Sequence, residues 1–252
     1  MRRALCILAC LWLAHPVLAQ DEPGFFSRLF GTDNAASDEE QGGRLETFIE
    51  ENLSGEGRTV SITGFKGALS GRATLDTLTI ADDQGEWLTL SDVVLDWNRG
   101  ALFRGRLEVT ELSAAEILLP RLPSPEETAD PPTPEASGFG LPELPVSVAI
   151  DRVSAARVII GEPVFGTPIG VSVDGGLSLE AGEGHASLAI QKLEIPDRIA
   201  LEASYSNTTE ILALDLNVNE GPGGIVASLL GLPGRPPIAF SAKGEAPITE
   251  YT

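Results

Sequence analysis

The chain has 252 residues with 37 acidic and 17 basic side chains, and its formal net charge of −20 opposes partners whose binding relies on neutralising phosphates. Nucleic acid is therefore not expected as a partner. Both cysteines lie within the first ten residues, and His185 is the one histidine after residue 20, which excludes downstream disulfides, thiol metal sites and histidine clusters. We expect no metal and no cofactor.

Residues 1–19 have the features of a secretory signal peptide. Arg2 and Arg3 precede an apolar run, and Val17-Leu18-Ala19 comes just before acidic sequence. The run is shorter than the roughly 20 residues of a spanning helix, which favours cleavage after Ala19 over a short retained membrane anchor. Lipoprotein-type cleavage at Cys10 is a third alternative. In each case the rest of the chain is exported.

The region after the signal contains a tether and a helix. Residues 20–43 include an acidic stretch with Ser, Ala and Gly, which predicts a disordered tether. Apolar residues then take the spacing of one helix face, at Leu45, Phe48, Ile49 and Leu53. We expect one short helix that caps an open sheet; a membrane-surface helix is the alternative, which the acidic polar side of the helix opposes. A second short helix is expected at 225–232.

From Arg58 onward apolar residues alternate with polar ones, which is the pattern of half-buried strands. Two such blocks, 44–119 with the first helix and 146–252, flank a Pro-rich acidic stretch at 120–145 that predicts an extended linker or long loop. Turn residues separate the strands, so neighbouring strands are expected to pair as antiparallel hairpins. The predicted fold is mainly β, with one long antiparallel sheet.

An internal repeat relates the two blocks. The sequence 106–119 matches 147–160 at every apolar position, and Ser-Ala-Ala is identical. The spacing apolar-x-apolar-x-x-apolar begins at 73, 107, 148 and 188. Because the x-x gap would turn the third apolar residue to the wrong side of a regular strand, each copy predicts a β-bulge. Repeated bulges increase twist, so we expect a curled sheet with its apolar face on the concave side.

This apolar face is the candidate functional site. Its expected lining is mainly Leu, Ile and Val, which suits alkyl chains and lacks stacking surfaces for sugars or bases. A second sheet over it would make a sandwich or closed barrel, whereas an uncovered face would be a groove that holds something apolar. The residues expected to line the groove and contact lipid are Leu75, Leu88, Leu90, Leu107, Val109, Val148, Ile150, Leu188 and Ile190.

No residue is predicted to be catalytic. The carboxylate pairs at 82–83 and 126–127 fall in a turn and in the Pro-rich stretch, where we expect solvated side chains. The glycine-rich stretches at 174–176 and 221–224 lack the Lys-Ser/Thr of a phosphate loop and are predicted to be turns. His185 has no second histidine or cysteine beside it and is expected in an exposed loop.

Several stretches of the sequence resemble parts of one known protein family. They are the helix 45–53 running into Ser54-Gly55-Glu56-Gly57-Arg58, the run 64–70, Trp87-Leu88-Thr89-Leu90 with 93–97, and 204–207 with 220–224. Together they resemble the amino-terminal region of the TamB family, the translocation and assembly module subunits of Gram-negative bacteria, within the wider AsmA-like superfamily. The resemblance extends over most of the chain from about Leu45 onward.

The resemblance implies a non-enzymatic periplasmic protein, associated with the inner membrane, whose curled sheet forms a hydrophobic groove toward the outer membrane. It implies phospholipid acyl chains or nascent outer-membrane proteins as cargo, in phospholipid transfer between the two membranes or in outer-membrane protein and autotransporter assembly. It also implies a TamA-like outer-membrane barrel as partner. The family meets that barrel through a C-terminal region beyond this sequence, so we expect the chain to be a fragment.

Two other functions compete with this one. The first is an exported β-sandwich or solenoid that serves as a spacer or adhesion module, with its apolar face wholly covered by its own second layer. The second is a secreted acidic hydrolase, for which no nucleophile–base pair can be named. The sandwich or solenoid predicts no bound lipid and a closed core, whereas activity that is lost on changing a single carboxylate, with folding intact, would indicate the hydrolase.

Overall fold

The computed structural model of the chain describes residues 47, 50, 54–55, 57–67, 70–102, 104–124, 140–142, 144 and 146–248. The predicted signal peptide, the acidic tether and the apolar residues of the first helix lie outside these residues. Within the predicted helix, Thr47 and Glu50 are described, and both are helical.

Ten strands form one sheet in which every strand pairs with its neighbours in sequence, so the spatial order is β1 to β10. The strands are β1 (Thr59–Thr63), β2 (Arg72–Asp82), β3 (Gly85–Trp97), β4 (Arg106–Leu119), β5 (Ser147–Ile160), β6 (Ile169–Glu180), β7 (Glu183–Lys192), β8 (Arg198–Ser206), β9 (Ile211–Glu220) and β10 (Ile238–Pro247). Within the continuously described ranges 70–102, 104–124 and 146–248, three short helices accompany them, α1 (Arg99–Leu102), α2 (Glu162–Phe165) and α3 (Ile225–Leu229). The sheet is curled and does not close, which confirms the predicted mainly β fold and the short helix within 225–232.

One strand pair differs from the expected hairpins, because β4 and β5 are parallel while the other eight pairs are antiparallel. A parallel pair needs a connection of a dozen or more residues, and the stretch between Leu119 and Ser147 is long enough to supply it. The two blocks of strands are thereby joined into one sheet through β4 and β5.

The parallel pair places the two copies of the repeat side by side. Leu107 is the partner of Val148, Ser113 of Ser154, and Ile117 of Val158, with the same offset along the whole pair. Each residue of one copy therefore lies next to its equivalent in the other. Strand irregularities in the two copies fall at the same level, so they do not disturb the register between β4 and β5.

The predicted bulges are present in β4 and β5. The register of β4 against β3 shifts next to Val109, and that of β5 against β6 shifts between Ile150 and Val153 and again between Ala155 and Val158. In β2 the predicted shift is absent, because β3 has a matching irregularity at Asp92, where φ is +49°. In β7 the prediction is wrong, because the third apolar residue, Leu193, lies beyond the end of the strand.

Two local predictions also fail. Residues 174–176 lie inside β6 and not in a turn, and His185 is an exposed residue of β7 and not of a loop. Gly176 faces the bulge of β5, where a Cβ would lie 2.8 Å from the carbonyl oxygen of Asp151. The glycine is thus needed for close approach of two backbones within a sheet. The second glycine stretch, 221–224, does form the turn between β9 and α3.

The free edge of β1 is covered by side chains from the N-terminal helical region. The backbone N–H of Ile62 donates to Glu50 Oε1 at 2.6 Å, and that of Val60 donates to Ser54 Oγ at 2.9 Å. These bonds occupy N–H groups that point away from β2. The edge of β1 is therefore less available for pairing with a strand of another molecule, and this protection is what an exposed sheet edge needs.

Candidate functional site

One face of the sheet carries most of the apolar residues of the strands. In β6 the alternate residues Ile169, Val171, Val173, Gly175, Leu177 and Leu179 point to this side. Each of them belongs to a row of partners that crosses the sheet. We call the side chains of these six rows the apolar face. In β4 and β5 some successive apolar residues are three positions apart, such as Ile150 and Val153. The bulge between them keeps both side chains on the apolar face.

All nine residues predicted to line a groove lie on the apolar face. Leu107 and Val148 share the row of Leu179, and Val109 and Ile150 share that of Leu177. The other five belong to the remaining rows or follow them by alternation, namely Leu75, Leu88, Leu90, Leu188 and Ile190. Val109 is buried and the other eight are half-buried.

Two helices cover one end of the apolar face. Phe165 of α2 and Ile225 of α3 are buried against Ile169 and Val171, where half-buried side chains of β5, β7 and β8 surround them. The position of α3 is fixed by Glu220, which is 4% exposed. Its two carboxylate oxygens accept the backbone N–H groups of Ile225 at 2.7 Å and Val226 at 2.9 Å, so this buried charge is satisfied by the first turn of the helix.

Leu141 covers the other end. Its backbone N–H donates to Asn207 Oδ1 at 2.8 Å, and Asn207 Nδ2 donates to the carbonyl oxygen of Leu141 at 2.9 Å. The Leu141 side chain lies over Gly184, where a Cβ would be 2.6 Å from its methyl carbon. Gly184 belongs to the row of Leu179 and Tyr205, so Leu141 contacts the apolar face itself. The sequence contains little sign of this contact, because Leu141 lies within the Pro-rich stretch 120–145, which predicts a linker or long loop.

Between the two covered ends, the central side chains of the apolar face keep part of their surface exposed. Of the members of the two central rows named next, only Val109 is buried; the others are half-buried or exposed. The rows are Val109, Ile150, Leu177, Ala186, Ala203 and Leu214, and Leu112, Val153, Gly175, Leu188, Leu201 and Leu216. The described residues form one sheet, and none of them forms a second sheet over these rows.

Charge is nearly absent from the apolar face. Two charged residues of this face, Lys192 in the row of Val171 and Glu220 two residues after Val218, both lie at the helix-covered end, where Lys192 Nζ is 3.9 Å from Asp197 Oδ2. On the opposite face, ion pairs join neighbouring strands, for example Arg157 to Glu116 at 3.0 Å and Lys243 to Asp215 at 2.6 Å. The two central rows of the apolar face named above thus contain no charged residue, whereas the opposite face carries ion pairs between strands.

At the β2–β3 turn, Asp82 binds the start of the Pro-rich stretch. Arg121 Nη1 donates to Asp82 Oδ2 at 2.8 Å, and the backbone N–H of Ser124 donates to the same oxygen at 2.8 Å. The hydrogen-bonded guanidinium holds the pKa of the Asp82 carboxyl well below its usual range. The prediction that the Asp82 carboxylate is solvated is therefore wrong, because its side chain is 6% exposed and binds Arg121 and Ser124.

Three further observations concern chemistry and similarity. Among the described residues, no group of His, Cys, Asp and Glu is placed to hold a metal ion. No helix in the described part of the chain has the length and apolar character needed to cross a membrane. Comparison with models of protein families, with curated proteins and with solved structures found no match to this chain.

Proposed function

We propose that the chain is a non-enzymatic, exported component of a translocation and assembly module, and that its apolar face is a conduit for phospholipid acyl chains. The observation that carries the proposal is the centre of that face, where two rows of Leu, Ile, Val, Ala and Gly side chains remain half-exposed between covered ends. A contiguous apolar surface that stays partly exposed is the kind of surface that binds a ligand or partner.

The composition of the central rows fits an alkyl chain better than a protein side-chain anchor. Ala186 and Ala203 are partners on β7 and β8, and the larger Leu188 and Leu201 are partners in the next row. The small alanine side chains form a low strip on the face, and the longer leucine side chains project further beside it. Burial of an acyl chain contributes about 0.8 kcal/mol per CH₂ and needs no directional contact, so the strip binds many chain types equally.

The charge distribution supports the same cargo. The chain carries a net charge of −20, and ion pairs such as Arg157–Glu116 and Lys243–Asp215 lie on the face opposite the apolar one. An acidic exterior repels anionic headgroups, whereas the uncharged face admits hydrocarbon. The resemblance of the sequence to the TamB family adds the remaining elements of the proposal: a periplasmic location at the inner membrane, a TamA-like barrel as partner, and nascent outer-membrane proteins as a second cargo.

Binding of a phospholipid with a fluorescent acyl chain to the purified protein tests the proposal. Ala203 and Ser204 are neighbours on β8 that face opposite sides, so Ala203→Trp fills the low strip and Ser204→Trp is its matched control. We expect Ala203→Trp to reduce binding at least tenfold and Ser204→Trp to leave it unchanged, with the same circular dichroism spectrum for both. Absence of binding to the folded, unsubstituted protein would contradict the proposal and favour a structural spacer.

A further inference from the structure

The two ends of the sheet differ in the chemistry of their loops. At the Leu141-covered end, the β6–β7 turn is Ala181-Gly182 and the β8–β9 turn is residues 207–210, Asn-Thr-Thr-Glu. At the helix-covered end, the β7–β8 loop is residues 193–197, Leu-Glu-Ile-Pro-Asp, and its Leu193 and Ile195 are both exposed. Turns in contact with water are usually built from Gly, Pro, Asn, Asp and Ser. The exposed leucine and isoleucine depart from that rule.

Further exposed apolar side chains lie at the same end of the sheet. Leu122 follows β4, Leu230 follows α3 and is 62% exposed, and Phe240 is near the start of β10. With Leu193 and Ile195, they are five of the six large apolar side chains that are exposed in the described part of the chain. We call the exposed loop residues Leu193, Ile195 and Leu230 the apolar tip.

The backbone of these loops is bonded within the protein. The N–H of Leu193 donates to a carbonyl oxygen of β6 at 3.0 Å, and the N–H of Leu230 donates to a carbonyl oxygen of α3 at 3.0 Å. Asp197 Oδ1 accepts the N–H of Gly221 at 2.9 Å and so joins the β7–β8 loop to the segment that leads into α3. Because a bonded N–H has already given up its water, these loops can leave water without exposing free donors to hydrocarbon.

Proline removes further donors from the same end of the sheet. The β7–β8 loop and the connections that carry α2 and α3 comprise residues 161–168, 193–197 and 221–237. They contain seven exposed prolines, at 163, 168, 196, 222, 233, 236 and 237. Proline has no backbone N–H, and its ring fixes φ. The loops therefore present few donors that need water, and they hold their shape.

The charges of the same three ranges indicate which apolar medium fits the tip. The ranges contain three acidic residues, Glu162, Glu194 and Asp197, and one basic residue, Arg235. Clusters of basic residues are what attract a protein to anionic lipids, and these ranges have none. Headgroups without net charge do not oppose the tip. A protein partner would need pockets matched to separate loop residues, whereas a fluid lipid surface conforms to them.

We infer that the apolar tip inserts Leu193, Ile195 and Leu230 into the headgroup–acyl boundary of a bilayer whose headgroups carry no net charge. Apolar side chains that enter this boundary by about 5–10 Å hold a protein reversibly at the membrane surface. The inference adds a bilayer contact to the proposed function. It stands without that function, because the tip lies outside the two central rows of the apolar face.

A polarity-sensitive fluorophore on a single cysteine tests the inference, with the full chain and vesicles of phosphatidylcholine. Cys6→Ser and Cys10→Ser remove the native thiols. Ile195→Cys places the label at the apolar tip, and Thr208→Cys places it on an exposed residue at the opposite end. We expect vesicles to raise the emission of the label at 195 at least twofold, with quenching by spin-labelled acyl chains, and to leave the label at 208 unchanged. Attachment through another part of the chain would not produce this difference.

Two further variants separate the tip from the apolar face. Leu230→Asp should reduce the vesicle response of the label at 195 at least fivefold, whereas Ala203→Trp, which fills the low strip of the apolar face, should preserve it. No response at 195, an equal response at 208, or loss of the response with Ala203→Trp would overturn the inference. Binding of the fluorescent phospholipid is measured separately without vesicles, so that either proposal can fail alone.

Discussion

Ala114 of β4 and Ala155 of β5 are partners in the parallel pair, and both are buried, at 8% and 4% exposure. They occupy equivalent positions in the two copies of the repeat, in the Ser-Ala-Ala triplet that the copies share. Parallel in-register pairing brings two small side chains together where the strands bend. The repeat therefore specifies a contact between its own copies.

The first prediction concerns this contact. Ala155→Leu adds three carbons to a buried site between Ala114 and Val173, and overpacking of this kind costs about 1–3 kcal/mol. Ala156→Leu, at the next residue, which is exposed, should change the free energy of unfolding by less than about 0.5 kcal/mol. Urea unfolding of the two variants measures the difference. Equal destabilisation would show that the close pairing of the copies is not as described.

A second prediction separates the two faces of β5. Ile150→Asp places a carboxylate among the half-buried apolar residues of the central row and should destabilise the sheet by about 2 kcal/mol. Ala149→Asp, on the opposite face, should be nearly neutral. Leu90→Asp and Thr89→Asp form a second matched pair on β3. Thermal unfolding of all four variants checks the assignment, and a large effect from Ala149→Asp and Thr89→Asp would argue against it.

A third prediction concerns the buried carboxylate of Glu220. Glu220→Ala removes the acceptor for the N–H groups of Ile225 and Val226, which should destabilise the protein by about 1–3 kcal/mol. Asn219→Ala, at an exposed neighbour on β9, is the control and should have little effect. Denaturant unfolding measures both. If the two variants unfold alike, Glu220 does not hold α3 against the sheet.

A fourth prediction concerns pH. Because the folded-state pKa of Asp82 is lowered by Arg121, the contribution of this pair to stability is fully present above the unfolded-state pKa of about 3.9. It is lost as the pH falls below that value and the carboxylate is protonated. The difference in melting temperature between the wild type and Asp82→Asn should therefore be constant from pH 5 to 8 and shrink below pH 4. A difference that grows on acidification would contradict this assignment.

Much of the sheet could be predicted because strand patterns are local. Val60 and Ile62 alternate with polar residues, which indicates that their side chains share a face. The three-residue step in the repeat indicates where the strands must bend. The glycines at 175–176 predict a turn by composition, but glycine marks turns and close strand contacts alike. The deciding feature is the bulge of β5 opposite Gly176, which is remote in sequence.

The parallel pair and the covered ends could not be predicted for the same reason. Hairpin pairing follows from short turns, whereas the β4–β5 pair depends on a connection between Leu119 and Ser147 whose path no local pattern records. Likewise, the contacts of Leu141 with Asn207 and of Arg121 with Asp82 join residues 66 and 39 positions apart. Of the candidate site, the lining was predictable from spacing, but the elements that bound it were not.

The most direct test of the central claim, an apolar face that holds acyl chains, is photo-crosslinking in cells. A crosslinking side chain is placed at Leu90 or Ile150 on the apolar face, and at Thr89 or Ala149 on the opposite face, and adducts are identified by mass spectrometry. We predict phospholipid adducts at Leu90 and Ile150 and none at Thr89 and Ala149. Adducts at Leu90 and Ile150 that consist only of the protein itself would contradict the claim and show a covered face.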